Sequence, residues 1–391
     1  MKTNKEAEPI AKLYCSSTMP SYIHYIETSV PATRGNQREL LDRLKNLHQD
    51  DRKTQAILHR IYTQSGIEHR YTVLEDYFSE DPNSFFHRSF DPTHIPSTGE
   101  RNKKYESAAK KLFLETASAL IEKHKKSGLP AISHVITVSC TGFFAPGPDY
   151  EIVKELGLAS SVERYHIGFM GCYAAFPALR MAQAFCDQDP KAVVLIVATE
   201  LCSLHFNPKT DPDTLIAGSV FSDGSAGALV SAKKPSSSAF RIEAFANDLA
   251  YEGERDMAWT IGDTGFDMTL SSYVPDIIKN NLNSITDPLF ARFGLGIKDI
   301  GYWAIHPGGR AILDKVEQSF ELNDQALDAS RTVLKNHGNM SSATILFVLD
   351  DLLKRPPSQA HIRDGHDTAL AMAFGPGLSI ETALLRRIEH S

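Results

Sequence analysis

The sequence predicts an α/β protein made of two related halves, and three observations carry that expectation. Short β-branched apolar runs alternate with helical patterns through most of the 391 residues. Two of these runs, residues 132–138 and 192–198, are short, β-branched and largely apolar, as suits strands covered by helices on each side. Finally, Met170-Gly171-Cys172 and His337-Gly338-Asn339 each lead into a long apolar helical pattern, offset by 339 − 172 = 167 residues. Each is followed by an apolar stretch broken by a glycine turn, residues 219–230 and 371–380, with Phe221 and Phe374 offset by 374 − 221 = 153. A duplication, dividing the chain into halves 1–235 and 236–391, accounts for the recurrence, with chance similarity of glycine turns as its rival.

Taken in order, residues 76–101 are polar and carry Pro82, Pro92 and Pro96, which reads as a long surface loop. Residues 104–126 place Ala108, Leu112, Ala117, Leu120 and Ile121 along one side, an exposed amphipathic helix. The strand at 132–138 follows. Residues 174–186 carry a helical stripe so rich in alanine that the helix must pack closely inside the protein. The second buried strand comes at 192–198. Lys233-Lys234-Pro235-Ser236 and Lys354-Arg355-Pro356-Pro357-Ser358 are turn or linker signals. Tyr302-Trp303-Ala304-Ile305 reads as a strand ending at His306, and residues 341–353 as the last long helix.

Composition excludes several classes. A charge of −7 leaves no net basic face for nucleic acid. The opening Met1–Pro9 lacks the apolar stretch of a secretory signal, and no apolar run approaches the ~20 residues of a membrane span. The five cysteines (Cys15, Cys140, Cys172, Cys186, Cys202) are odd in number and contain no C-x-x-C pair, which argues for a reducing, cytoplasmic compartment rather than a disulfide framework. His361 and His366 flank Arg363 and Asp364 without a third ligand signal, so no metal site is expected there.

Three segments carry chemistry: Gly168-Phe169-Met170-Gly171-Cys172, Ile305-His306-Pro307-Gly308-Gly309 and Asn336-His337-Gly338-Asn339-Met340-Ser341-Ser342. A thiol, an imidazole and a carboxamide, each set among glycines where one element turns into the next, are the parts needed to make and break thioesters. At a helix N-terminus beside an imidazole, the Cys172 thiol is expected to ionise readily. Asn339 suits a helix cap and also an oxyanion donor. Cys140, Cys186 and Cys202 lie in or beside apolar runs with no base in sight and read as packing residues.

These segments, in this order, resemble the thiolase superfamily of condensing enzymes, and within it the type III polyketide synthases of the chalcone and stilbene synthase group. Ala373-Phe374-Gly375-Pro376-Gly377 is similar to that family's Gly-Phe-Gly-Pro-Gly loop, with alanine for the first glycine, and Cys140-Thr141-Gly142-Phe143-Phe144-Ala145 is similar to bacterial members. The resemblance implies a thiolase-like fold with a layered αβαβα core, a homodimer with Phe143-Phe144-Ala145 near the partner, and catalysis by Cys172, His306 and Asn339. It implies an acyl-CoA starter loaded on Cys172 and extension by malonyl-CoA, with no cofactor and no metal. Phe221 and Phe266 would flank the passage to the cavity; Cys140, Ala145, His205, Met257, Ser341, Gly375 and Pro376 would line it. Coenzyme A would meet Arg60, Gly308, Gly309 and Ala311. The family's lysines flanking Arg60 are replaced by Ile57 and Gln64. The differences at Ala145, His205 and Met257 point away from a flavonoid starter. The likeness of the Cys140 segment to bacterial members, many of which accept fatty acyl starters, implies an alkylpyrone or alkylresorcinol product. The rival readings are a carrier-dependent ketoacyl synthase of fatty-acid initiation, a cysteine hydrolase, and a non-enzymatic scaffold. The Pro-Gly-Gly after His306 and the Phe-Gly-Pro-Gly loop favour the polyketide synthase.

Overall fold

The computed structural model describes residues 19–91, 93–356 and 367–389. Cys15, Pro92 and the segment bearing His361, Arg363, Asp364 and His366 lie outside the described residues. The first half contains β1 (Ser21–Ser29), the antiparallel pair β2 (Thr33–Asn36) and β3 (His69–Thr72), and, between those two, α1 (Gln37–Leu47) and α2 (Arg52–Gln64). It continues through α3 (Phe85–Arg88), α4 (Thr98–Ser127), β4 (His134–Ser139), α5 (Pro148–Glu155), β5 (Glu163–Gly168), α6 (Ala175–Gln188), β6 (Val193–Leu201), α7 (Pro212–Val220) and β7 (Asp223–Ser231). The second half runs through β8 (Ala239–Leu249), a hairpin of β9 (Met257–Gly262) and β10 (Gly265–Leu270), α8 (Val274–Phe293), β11 (Tyr302–Ile305), α9 (Arg310–Ser319) and α10 (Asp328–His337). It closes with α11 (Thr344–Lys354), β12 (Thr368–Gly375) and β13 (Ser379–Ile388).

Nine strands form one sheet in the order β11-β12-β13-β8-β1-β7-β6-β4-β5. The duplication is legible in their directions. β4 pairs parallel with β6, β6 antiparallel with β7, and β7 antiparallel with β1. β11, β12, β13 and β8 repeat that sequence of senses, and β1 pairing with β8 joins the two sets. The predicted correspondence of Phe221 with Phe374 does not hold: Phe221 ends a helix ahead of β7, whereas Phe374 lies inside β12. The strand that repeats β7 is β13.

Side-chain alternation along the strands builds the layers. Val194, Ile196 and Ala198 of β6 face inward with Ala369, Ala371 and Ala373 of β12, and against them pack α6 and α11. Val193, Leu195 and Val197 face the opposite way, onto α4 with Leu112, Phe113 and Leu120. Leu370, Met372 and Phe374 likewise face α8 and α9. Two central helices between two sheet halves, with helices outside each, give the expected αβαβα stack. Alanines along α6 (Ala175, Ala178, Ala182) let it approach both sheet faces.

Two elements differ from expectation. Residues 76–101 are not a plain surface loop: they contain α3, whose Phe86 is fully buried, and the start of α4. The missed signal is a capping box, with the Ser97 side chain on the Glu100 N–H and the Glu100 carboxylate on the Ser97 N–H. The long helix α4 is also less exposed than predicted, because Arg101, Tyr105, Ala109 and Thr116 widen its buried face beyond the apolar residues.

Candidate active site

Strand ends bring the three segments together. β4 and β5 lie side by side, and the Phe169 N–H continues their pairing to the Ser139 carbonyl at 3.2 Å. The chain then turns sharply into α6. Gly171 has φ +90, and a Cβ there would lie 2.2 Å from Pro376 Cδ, so only glycine fits. Cys172 follows in the turn, three residues ahead of the first residue of α6. Gly375 fills the same need from the other half, since a methyl there would meet the Tyr173 ring at 2.5 Å and the Cys172 nitrogen at 3.4 Å.

His306 leaves β11 with its N–H donating to the Met372 carbonyl at 2.8 Å. His306 is 1% exposed, and neither Nδ1 nor Nε2 has a partner among the described residues. Buried imidazole nitrogens left unpaired are costly, by about 1–3 kcal/mol each, and mark a place where a ligand supplies the missing bonds. Asn339 is pinned by backbone bonds to Val220 and Ser222, forming a bridge with Phe221. Its Oδ1 accepts the Ser341 N–H at 2.8 Å, which fixes Nδ2 as the donor; Nδ2 lies 3.3 Å from the Gly308 carbonyl. Asn339 is thus not the helix N-cap, a position held by Ala343 for α11; its carbonyl oxygen closes a local turn onto Ser341 and its amide nitrogen is the donor.

Cys172, His306 and Asn339 line one cavity, together with Cys140, Phe221, Met257, Gly308, Ser341 and Pro376; the space it encloses, open mouth included, is about 560 Å³. His205 and Phe266 line an adjoining cavity of about 600 Å³, whose walls of Cys202, Phe221, Trp259 and Met268 are shared with the first. Ala145 is exposed and lines neither. Arg60 is exposed on α2, and Gly309 and Ala311 lie just beyond Gly308 at the start of α9. The end of α2 meets that start: a methyl at Gly66 would lie 3.7 Å from Arg310 Cβ.

Burial pushes the Cys172 thiol up to about 11, against the pull of hydrogen bonds with Ser341 and Asn339. Burial also holds His306 down to about 3. The expected resting thiolate is thus replaced by a thiol and a neutral imidazole. The start of α6 does not offset the loss of water around a buried thiol whose pocket is also lined by Met257, Trp259 and Phe374.

Sequence reading missed Glu200. It is fully buried at the end of β6, with Oε2 accepting from the Cys140 N–H at 2.9 Å and Thr141 Oγ1 at 2.8 Å, and Oε1 from Ser342 Oγ. Burial raises it to about 7. One carboxyl group thereby ties the end of β4 to the Asn339 segment. The available signal was an acidic residue inside an apolar strand. Trp259, also missed, donates its indole N–H to the Cys140 carbonyl at 3.0 Å.

A duplicated, five-layer α/β core with a cavity where the halves meet is the architecture of the thiolase superfamily. Residues 14–234 match the family described as chalcone and stilbene synthases, N-terminal domain, and residues 242–389 its C-terminal domain. The chain belongs to that family, the type III polyketide synthases. It is 27% identical over 392 residues to "Probable polyketide synthase 1" of Dictyostelium discoideum, covering 98% of this chain and 12% of that much longer protein. PKS-I from the brown alga Ectocarpus siliculosus superposes with a TM-score of 0.84 at 29% identity, covering 95% of this chain and 99% of that one. The C-terminal type III polyketide synthase domain of Steely1, a type I/III hybrid from Dictyostelium, gives 0.83 at 27% identity, covering 94% and 99%. Among the described residues, no helix is long and apolar enough to cross a membrane.

Proposed function

We propose that the chain transfers an acyl group from a coenzyme A thioester to Cys172 and extends it by decarboxylative condensation with malonyl-CoA. The observation that carries this reading is the His306 ring: buried, neutral and without a partner among the described residues, in the cavity it shares with Cys172 and Asn339. In the first step Cys172 loses its proton to His306, its sulfur forms the new thioester, and the carbon–sulfur bond to coenzyme A breaks. Each ion is costly here alone; formed together they attract strongly in an enclosed site, so the pair need exist only as the reaction proceeds. Malonyl-CoA then loses carbon dioxide. The electron pair stays on the thioester as an enolate, whose oxygen is suited to N–H donors from His306 and Asn339. The enolate carbon attacks the Cys172 thioester, forming the carbon–carbon bond and expelling the Cys172 sulfur.

We assign coenzyme A to Arg60, Gly308, Gly309 and Ala311, a reading supported by the approach of the end of α2 to the start of α9, and the passage to Phe221 and Phe266. The apolar walls Met257, Met268, Leu270 and Ile312 suit an alkyl starter, and an alkylpyrone or alkylresorcinol product. A homodimer would cover the outer edge of β5 and the nearby exposed Phe143, which an isolated chain would leave open to aggregation. The two halves, 1–235 and 236–391, would meet in the link between β7 and β8, and the buried, unpaired Cys140, Cys172, Cys186 and Cys202 suit the cytoplasm.

The test is mass spectrometry of products from malonyl-CoA with a panel of aromatic and fatty acyl-CoAs, without carrier protein. Pyrones or resorcinols bearing the starter's alkyl chain are expected. Extension only when a carrier protein is supplied would contradict the reading.

A further inference from the structure

The hydrogen bonds of His205 leave it little freedom to bind anything else. Its Nε2 lies 2.7 Å from the Thr141 carbonyl oxygen, an acceptor only, so Nε2 carries the proton. The lone pair is then on Nδ1, which accepts the Phe266 N–H at 3.1 Å. The same imidazole stacks flat on the Phe266 ring, with centroids 4.0 Å apart and planes 12° apart. Trp259 closes the third side, edge-on to both rings at 5.8 and 5.9 Å. Burial holds His205 down to about 4, so the arrangement keeps its single tautomer at neutral pH.

Both aromatic anchors hang from one strand end. The Cys140 carbonyl holds Trp259 and the Thr141 carbonyl holds His205, while Cys140 Sγ accepts the N–H of Gly171 at 2.9 Å. Gly171 immediately precedes Cys172. The end of β4 therefore sets the rings and the nucleophile's turn in one frame.

We propose that His205 is a positioning residue: it clamps Phe266 by backbone bond and ring face, and so fixes the aperture between the adjoining cavity and Cys172. This rests on reading Phe266 as a wall of the passage to Cys172, and it differs from assigning His205 to substrate. An imidazole with both nitrogens spent on the backbone has no hydrogen bond left to offer a ligand.

The test measures modification of Cys172, so it needs no turnover and is decided even if polyketide synthesis is never observed. Iodoacetamide and the bulky fluorescein-5-maleimide are compared on the native protein, with labelling quantified on the Cys172 peptide by mass spectrometry. His205→Ala should raise the bulky-to-small rate ratio about tenfold, the effect of losing one stacked ring pair and one net hydrogen bond. Iodoacetamide labelling should stay within about twofold, since a small probe passes the closed aperture. His205→Gln can restore donor and acceptor but not the ring face, and should give an intermediate ratio, about threefold above wild type. An unchanged ratio in a folded Ala variant, or equal acceleration of both probes, overturns the proposal. Should the Ala variant fail to fold, the Gln variant decides: a wild-type ratio there overturns the proposal equally.

Discussion

Glu200 makes stability fall as pH rises from the acid range to neutrality. Its carboxyl is fully buried and raised from 4.5 to about 7, with burial as the main cause and hydrogen bonds from Ser342, Cys140 and Thr141 opposing it. Because the folded value exceeds the unfolded one, the native state keeps a proton that the unfolded chain releases. The contribution is full below about pH 4.5 and is lost as pH rises toward 7, after which it stays lost. Raising the carboxyl from 4.5 to about 7 corresponds to roughly 3 kcal/mol. Glu200→Gln removes the titration while keeping one acceptor oxygen. Urea unfolding of wild type and variant at about pH 5 and about pH 8 should show the wild type losing roughly 2.5 kcal/mol relative to the variant between the two, the rest having been lost below about pH 5. A difference that does not move with pH would mean that Glu200 is already ionised at the lower value and that its hydrogen bonds, not burial, set its state.

Other substitutions probe separate parts of the frame. Gly171→Ala forces a Cβ to within 2.2 Å of Pro376 Cδ at φ +90, and should cost about 2–5 kcal/mol in urea unfolding and abolish acylation of Cys172. Asn339→Ala should leave acyl loading of Cys172 intact while slowing release of carbon dioxide from malonyl-CoA by about 10²–10³, read by a decarboxylation assay; equal losses in both steps would count against an oxyanion role. Ser97→Ala removes the capping box of α4 and should lower stability by about 1 kcal/mol in urea unfolding, with no change in Cys172 labelling.

How much of this was legible depended on whether the signal was local. The strands expected at 132–138 and 192–198, observed at His134–Ser139 and Val193–Leu201, and the alanine-rich helix between them were readable because each must satisfy burial on two faces, a constraint most of their residues carry. The cysteine, histidine and asparagine segments were readable because glycines are required where chains approach closely, as Gly171 shows. Glu200 was not: its function as a tie between β4 and the Asn339 segment depends on Ser342, 142 positions away. The state of Cys172 was misjudged for a related reason. A helix start is visible in sequence, but the apolar walls that desolvate the thiol come from the β9–β10 hairpin and β12, far along the chain. The match of Phe221 with Phe374 failed because glycine turns recur at unrelated places; strand direction, not turn composition, carries the repeat.

Three thiols, Cys140, Cys172 and Cys202, line one cavity, so locating the acylated one is decisive. The protein would be incubated with a fatty acyl-CoA alone, quenched in acid, digested and sequenced by tandem mass spectrometry. The account predicts a single thioester on Cys172, absent from Cys172→Ala and retained in Cys140→Ser. An acyl group on Cys140 or Cys202 in the wild type, or undiminished acylation of Cys172→Ala, would contradict it.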